Sequence, residues 1–146
     1  MLAVILVVTA VVYFGARHLA SQYAGLSGAD QTRGQPREDG PVTPLNESNF
    51  NRHVLHSEGW ALVDFGAQWC PPCRMLEPVY RELAAEYEGQ IRFYSVDTDV
   101  SPKLADTYVD RGIPTLVMFY NGRQVATTVG FDGKQSLQNW IESTVR

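Results

Sequence analysis

Trp69-Cys70-Pro71-Pro72-Cys73 brings together the only two cysteines of the chain. Two thiols three residues apart on the first turn of a helix can close a short disulfide. A helix N-terminus also offers unpaired N–H groups and partial positive charge, which stabilise a thiolate. On that placement Cys70 is the attacking group, its pKa lowered. Cys73, one turn further in, suits the resolving role and breaks a mixed disulfide formed on Cys70. The competing reading is a pair of ordinary buried cysteines or half of a zinc site. Two cysteines are too few for a cage of several thiolates, and no His-x-x-x-His spacing assists one. A metal is therefore not expected.

The elements around the pair favour redox chemistry. Ala61–Ala67, ALVDFGA, is a short apolar run with the composition of a buried strand. Pro71 and Pro72 open a helix over about 71–88, with Leu76, Val79 and Leu83 on one face, a kink expected at Pro78 and a stop at Gly89. Asp64 lies inside the apolar run, so desolvation should raise its pKa. It is then a plausible proton acceptor for Cys73, against the plainer reading of a satisfied polar core residue.

The rest of the chain supplies a frame. Phe50, Val54 and Leu55 predict a helix over about 47–57. Residues 91–97 read as a second strand, and Leu104 and Tyr108 mark a short helix after Pro102. Residues 115–120, the Asn121-Gly122 turn and residues 123–129 predict a β-hairpin. Leu137, Trp140 and Ile141 indicate a last helix over about 134–144. The order αβαβαββα predicts an α/β domain with a mixed central sheet flanked by helices. The acidic Val96-Asp97-Thr98-Asp99 reads as a solvated strand end. His53 and His56 read as solvent-facing, and the remaining Trp and Tyr residues as core or surface aromatics.

VDFGAQWCPPC, Pro78, VDTD, GIPT and the Asn-Gly hairpin followed by Val129-Gly130 occur in the order of the thioredoxin family. The segment 46–146 resembles a thioredoxin domain without the insertions of longer relatives. The resemblance implies that Cys70 is the nucleophile, Cys73 the resolving thiol and Asp64 the buried aspartate exchanging protons with Cys73. It implies a cis-proline loop at Ile113-Pro114. It also implies a client-docking groove made by Trp69, Ile113, Pro114, Val129 and Gly130. The implied activity is thiol-disulfide exchange with client proteins, as a reductase, in a monomer. The redox-active Cys70–Cys73 disulfide is the only cofactor implied, and an upstream redox partner must reset it. The alternative is a non-catalytic binding or assembly module.

Some residues depart from that pattern. Pro71-Pro72 stands where general thioredoxins usually carry Gly-Pro, and resembles some membrane-tethered extracytoplasmic relatives. Gly66 replaces a common aromatic residue. Ser95 stands where many relatives have a lysine near the aspartate, and Val109-Asp110 replaces a Gly-apolar pair.

The 146 residues carry a net charge of −4, with two lysines and ten scattered arginines. That excludes the basic footprint of a nucleic-acid binder. From Leu2 to Phe14 the chain is almost wholly apolar. The run to Ala16 would span roughly 24 Å as a helix, slightly short of a bilayer core of about 30 Å. Residues 1–18 are expected to be a transmembrane anchor, touching lipid through residues 2–16. A cleaved signal peptide and a helix packed on the domain are the alternatives. Residues 19–45, rich in Gly, Ser, Gln and Pro, are expected to be a flexible linker. The expected location is a bacterial cytoplasmic membrane, with the domain outside. Arg17, Arg33 and Arg37 after the run argue for the opposite orientation.

Overall fold

The computed structural model describes residues 40–146. The expected anchor and most of the expected linker lie outside the described residues. Among the described residues, no helix is long and apolar enough to cross a membrane.

The chain runs β1 (Val42–Leu45), α1 (Asn51–Leu55), β2 (Trp60–Gly66), α2 (Pro71–Glu86), β3 (Ile91–Asp97), α3 (Pro102–Tyr108), β4 (Thr115–Tyr120), β5 (Arg123–Val129) and α4 (Lys134–Thr144). The five strands lie in the order β1-β3-β2-β4-β5. β3 pairs parallel with β1 and β2, while β4 pairs antiparallel with β2 and β5. This is the thioredoxin fold: a mixed sheet flanked by helices, as the motif order implied.

Alternation along each strand divides the core into two layers. Leu62, Phe93, Leu116 and Met118 pack on one face with Leu76, Tyr80 and Leu83 of α2 and Leu137 and Ile141 of α4. Val63, Phe65, Tyr94, Val96, Val117 and Phe119 pack on the other with Phe50, Val54, Leu104 and Tyr108. Both faces of β2 are therefore covered, which is why its sequence reads as a continuous apolar run.

Two elements differ from expectation. Val42–Leu45 falls in the stretch read as linker, yet it is an edge strand, register-paired with Phe93–Val96, and Leu45 is buried. Four residues that include Pro44 carry too little periodicity to announce a strand, and proline is tolerated at a sheet edge. The helix expected over 47–57 narrows to one wide turn, in which the His56 N–H bonds the Asn51 carbonyl five residues back. Phe50 and Val54 still enter the core, so the apolar spacing was read correctly but not the hydrogen-bond pattern.

The hairpin turn is fastened to the domain. Asn121 and Gly122 both have positive φ, as a two-residue hairpin with right-handed twist requires. The Asn121 side chain accepts from the Gly59 N–H at 2.7 Å. Gly122 lies so close to α1 that a Cβ there would come within 1.9 Å of the Leu55 carbonyl oxygen.

Candidate functional site

β2 ends at Gly66, and the following turn delivers Cys70 to the N-cap of α2, just before Pro71. The Cys70 N–H bonds the Ala67 carbonyl at 3.1 Å. Cys70 caps the helix: its Sγ accepts from the Cys73 N–H at 3.3 Å. Pro71 and Pro72 have no N–H, so Cys73 supplies the first main-chain donor within the helix. That donor points at the sulfur expected to become a thiolate. Cys70 and Cys73 are joined in a disulfide with Cα atoms 5.3 Å apart. Both are buried, packed with Ala67 and Ile113.

The loop before β4 closes the other side. Ile113-Pro114 is a cis peptide, and the Ile113 carbonyl oxygen lies 3.8 Å from Cys70 Sγ. The Gly130 N–H bonds the Pro114 carbonyl at 2.8 Å, and Val129 pairs with Thr115. A continuous backbone path thus links the Val129-Gly130 turn to the disulfide. Trp69 is 65% exposed and Val129 is 44% exposed. These apolar side chains, with the half-buried Ile113, flank a disulfide that is itself recessed.

Asp64 stands opposite Ser95 on β2, on the face covered by α2. Its Oδ1 is shut from solvent and has no hydrogen-bond partner. Burial, reinforced by the nearby Glu77 carboxylate, pushes its pKa up to about 7. The group sits beside the disulfide, on a cleft of about 190 Å³ that it lines together with Gly66, Cys73, Glu77, Ser95 and Asp97. With serine at 95, no lysine borders this cleft.

Two residues of the acidic strand end do more than face solvent. Asp99 accepts a hydrogen bond from the Trp69 indole N–H at 2.8 Å. Thr98 donates to the Gly66 carbonyl from its N–H at 2.9 Å and from its hydroxyl at 3.1 Å. Thirty residues separate Trp69 from Asp99, so nothing local in the sequence signalled the contact. His53, read as solvent-facing, is half-buried and edge-on to Tyr94 at a centroid distance of 6.0 Å. Its Nε2 lies 3.0 Å from Arg52 Nη2.

A recessed disulfide between cysteines three residues apart at a helix N-terminus, beside a buried carboxyl oxygen with no partner and an exposed apolar rim, defines a thiol-disulfide oxidoreductase. A family profile described as thioredoxin matches residues 41–143. The chain is 38% identical over 101 residues to the thioredoxin of Rickettsia felis, covering 69% of this chain and 96% of that protein. It is 44% identical over 98 residues to thioredoxin 1 of a Nostoc species, covering 67% and 92%. Against the chloroplastic M-type thioredoxin of Pisum sativum it is 41% identical over 104 residues, covering 71% and 60%. The chain belongs to the thioredoxin family.

Proposed function

We propose that this protein reduces disulfides of client proteins from a membrane-tethered position. The observation that carries the reading is the Cys70–Cys73 disulfide at the start of α2, with the Cys73 N–H directed at Cys70 Sγ. In the dithiol form, the Cys70 thiolate attacks a client disulfide and expels one client thiolate. Asp64 accepts the proton of Cys73. The Cys73 thiolate then attacks Cys70 Sγ, releases the second client thiolate and restores the Cys70–Cys73 disulfide. An upstream redox partner returns two electrons, and one proton is taken up to restore the Cys73 thiol beside the Cys70 thiolate; the two client thiolates take their protons from water.

Trp69, Ile113, Pro114, Val129 and Gly130 form the client groove in this reading. The exposure of Trp69 and Val129 supports it, because exposed apolar side chains beside a reactive group favour a protein partner. In this reading the Ile113 backbone, whose carbonyl lies 3.8 Å from Cys70 Sγ, pairs in strand-like fashion with an extended client segment. The catalytic chemistry needs no metal and no bound small-molecule cofactor.

The apolar run Leu2–Phe14 supports an anchor, with the following linker holding the domain away from a bacterial cytoplasmic membrane. A domain outside the cytoplasm meets the compartment in which protein disulfides form. A membrane-impermeant thiol reagent applied to intact cells tests the side: labelling only after lysis overturns the outside placement.

The equilibrium reduction potential of the Cys70–Cys73 pair tests the direction. A value near or below about −230 mV is expected for a reductant, whereas about −120 mV would make the protein an oxidant.

A further inference from the structure

Gly66 is a glycine that the backbone does not require. It is the last residue of β2, paired with Asp97 in regular parallel register, and it is absent from the glycines with positive φ. Glycine weakens a strand, and in such a place it marks close approach or needed space. Here the space is specific. A Cβ on Gly66 would lie 3.4 Å from Cys73 Sγ and 3.9 Å from Asp64 Oδ1, both ordinary contact distances. A longer side chain growing from that point would enter the cleft that Asp64, Cys73 and Ser95 line. At about 190 Å³ the cleft has room for several waters, since one needs about 10–15 Å³ by the same measure.

We propose that Gly66 is a positioning residue whose missing side chain keeps a water passage open to Asp64 and Cys73, and that the proton released by Cys73 leaves through it. The inference rests on Asp64 being the proton acceptor. The Cys73 thiol gives its proton to the Asp64 carboxylate on the Oδ1 side. The Cys73 thiolate resolves the mixed disulfide, and the Asp64 carboxylic acid passes the proton to water in the cleft. Without that exit Asp64 would stay protonated and could not serve the next cycle.

The charged and titratable surroundings of the carboxyl are compatible with such an exit. α2 brings Cys73, Arg74, Glu77, Tyr80 and Arg81 to the cleft, and β3 brings Asp97. Tyr80 is committed elsewhere, its hydroxyl 2.8 Å from the Leu62 carbonyl and 2.9 Å from that of Tyr94. Arg81 pairs with Glu77 at 2.8 Å. Neither these groups nor Arg74 hydrogen-bonds Asp64 Oδ1, so in this proposal cleft water stabilises the carboxylate, and filling the cleft removes that water.

The test compares Gly66→Phe and Gly66→Ala with the parent and with Asp64→Asn, all in the full-length protein. Asp64 titration is followed by carboxyl-carbon NMR. Decay of a trapped mixed disulfide on Cys70 is followed from pH 5 to 9. Gly66→Phe should raise the Asp64 pKa by about 1 or more, because burial disfavours the charged form. The rise of the resolution rate with pH should move up by the same interval, with a several-fold loss at pH 7. Gly66→Ala should shift both in the same direction by less, and it carries the test if the larger side chain prevents folding. If Asp64→Asn slows resolution but neither Gly66 variant changes the titration or the pH profile, the passage is refuted while the acceptor role stands. If Asp64→Asn resolves as fast as the parent, the acceptor role falls and the proton exit falls with it.

Discussion

At the scale of single residues, the proposed chemistry turns on what surrounds two atoms, Cys70 Sγ and Asp64 Oδ1. Asp64 has a folded-state pKa of about 7 against an ordinary value of 3.8. Below about pH 4 it is protonated in both the folded and the unfolded chain and costs nothing. Between about pH 4 and 7 the unfolded chain releases the proton while the fold retains it, so stability falls as pH rises. Above pH 7 the loss is complete. Asp64→Asn should therefore stabilise the oxidised protein by on the order of 2–4 kcal/mol at pH 8 and by almost nothing at pH 4. Urea unfolding at the two pH values checks this. Cys70 Sγ presents the complementary case. Pro72 removes the donor one residue before Cys73, leaving the Cys73 N–H at 3.3 Å. Pro72→Ala should add a second donor to the thiolate, which favours the dithiol form. The reduction potential should then move up by roughly 10–30 mV, equivalent to about 0.5–1.4 kcal/mol. An unchanged or lower potential would show that the added N–H does not reach the sulfur.

At the scale of elements, the site depends on turns more than on helices and strands. The β2–α2 turn places Cys70, the loop before β4 places Ile113, and the β5 end reaches that loop through the Gly130–Pro114 hydrogen bond. Thr98 fastens the end of β3 to Gly66 by two donors. The Asn121-Gly122 hairpin, at the far end of β4, is held by the Gly59–Asn121 contacts and by its close approach to α1. Gly122→Ala would force its Cβ into the Leu55 carbonyl at positive φ. It should cost about 2–4 kcal/mol in urea unfolding. The reduction potential of the folded fraction should stay the same, because the turn does not touch the disulfide.

At the scale of the whole molecule, the folded domain begins before the stretch read as linker ends. β1 completes the sheet edge beside β3, and Leu45 is buried in the layer with Phe50 and Val96. Leu45→Ala should destabilise the full chain by about 2–4 kcal/mol, as other buried leucine truncations do. A residue in a flexible linker would give no measurable change in the urea midpoint. The expected anchor belongs to this scale too, and its test is the labelling of intact cells rather than the domain's own stability.

The disulfide site was legible in the sequence because its parts are local. The apolar run, two prolines at a helix start and two thiols one turn apart lie within 13 consecutive residues. Strand-like runs likewise announced β3, β4 and β5, and the Asn-Gly pair announced the hairpin of β4 and β5. Other features depend on distant partners and left no local trace. Val42–Leu45 becomes a strand only because β3 offers it an edge. Asp99 becomes a support for Trp69 only because the sheet brings the ends of β2 and β3 side by side. The width of α1 is decided by hydrogen bonds, which the spacing of Phe50 and Val54 does not encode. Gly66 was visible as a departure from the family pattern, but not the space beside it. That space exists only once α2 lies across β2 and brings Cys73 close to Gly66 and Asp64.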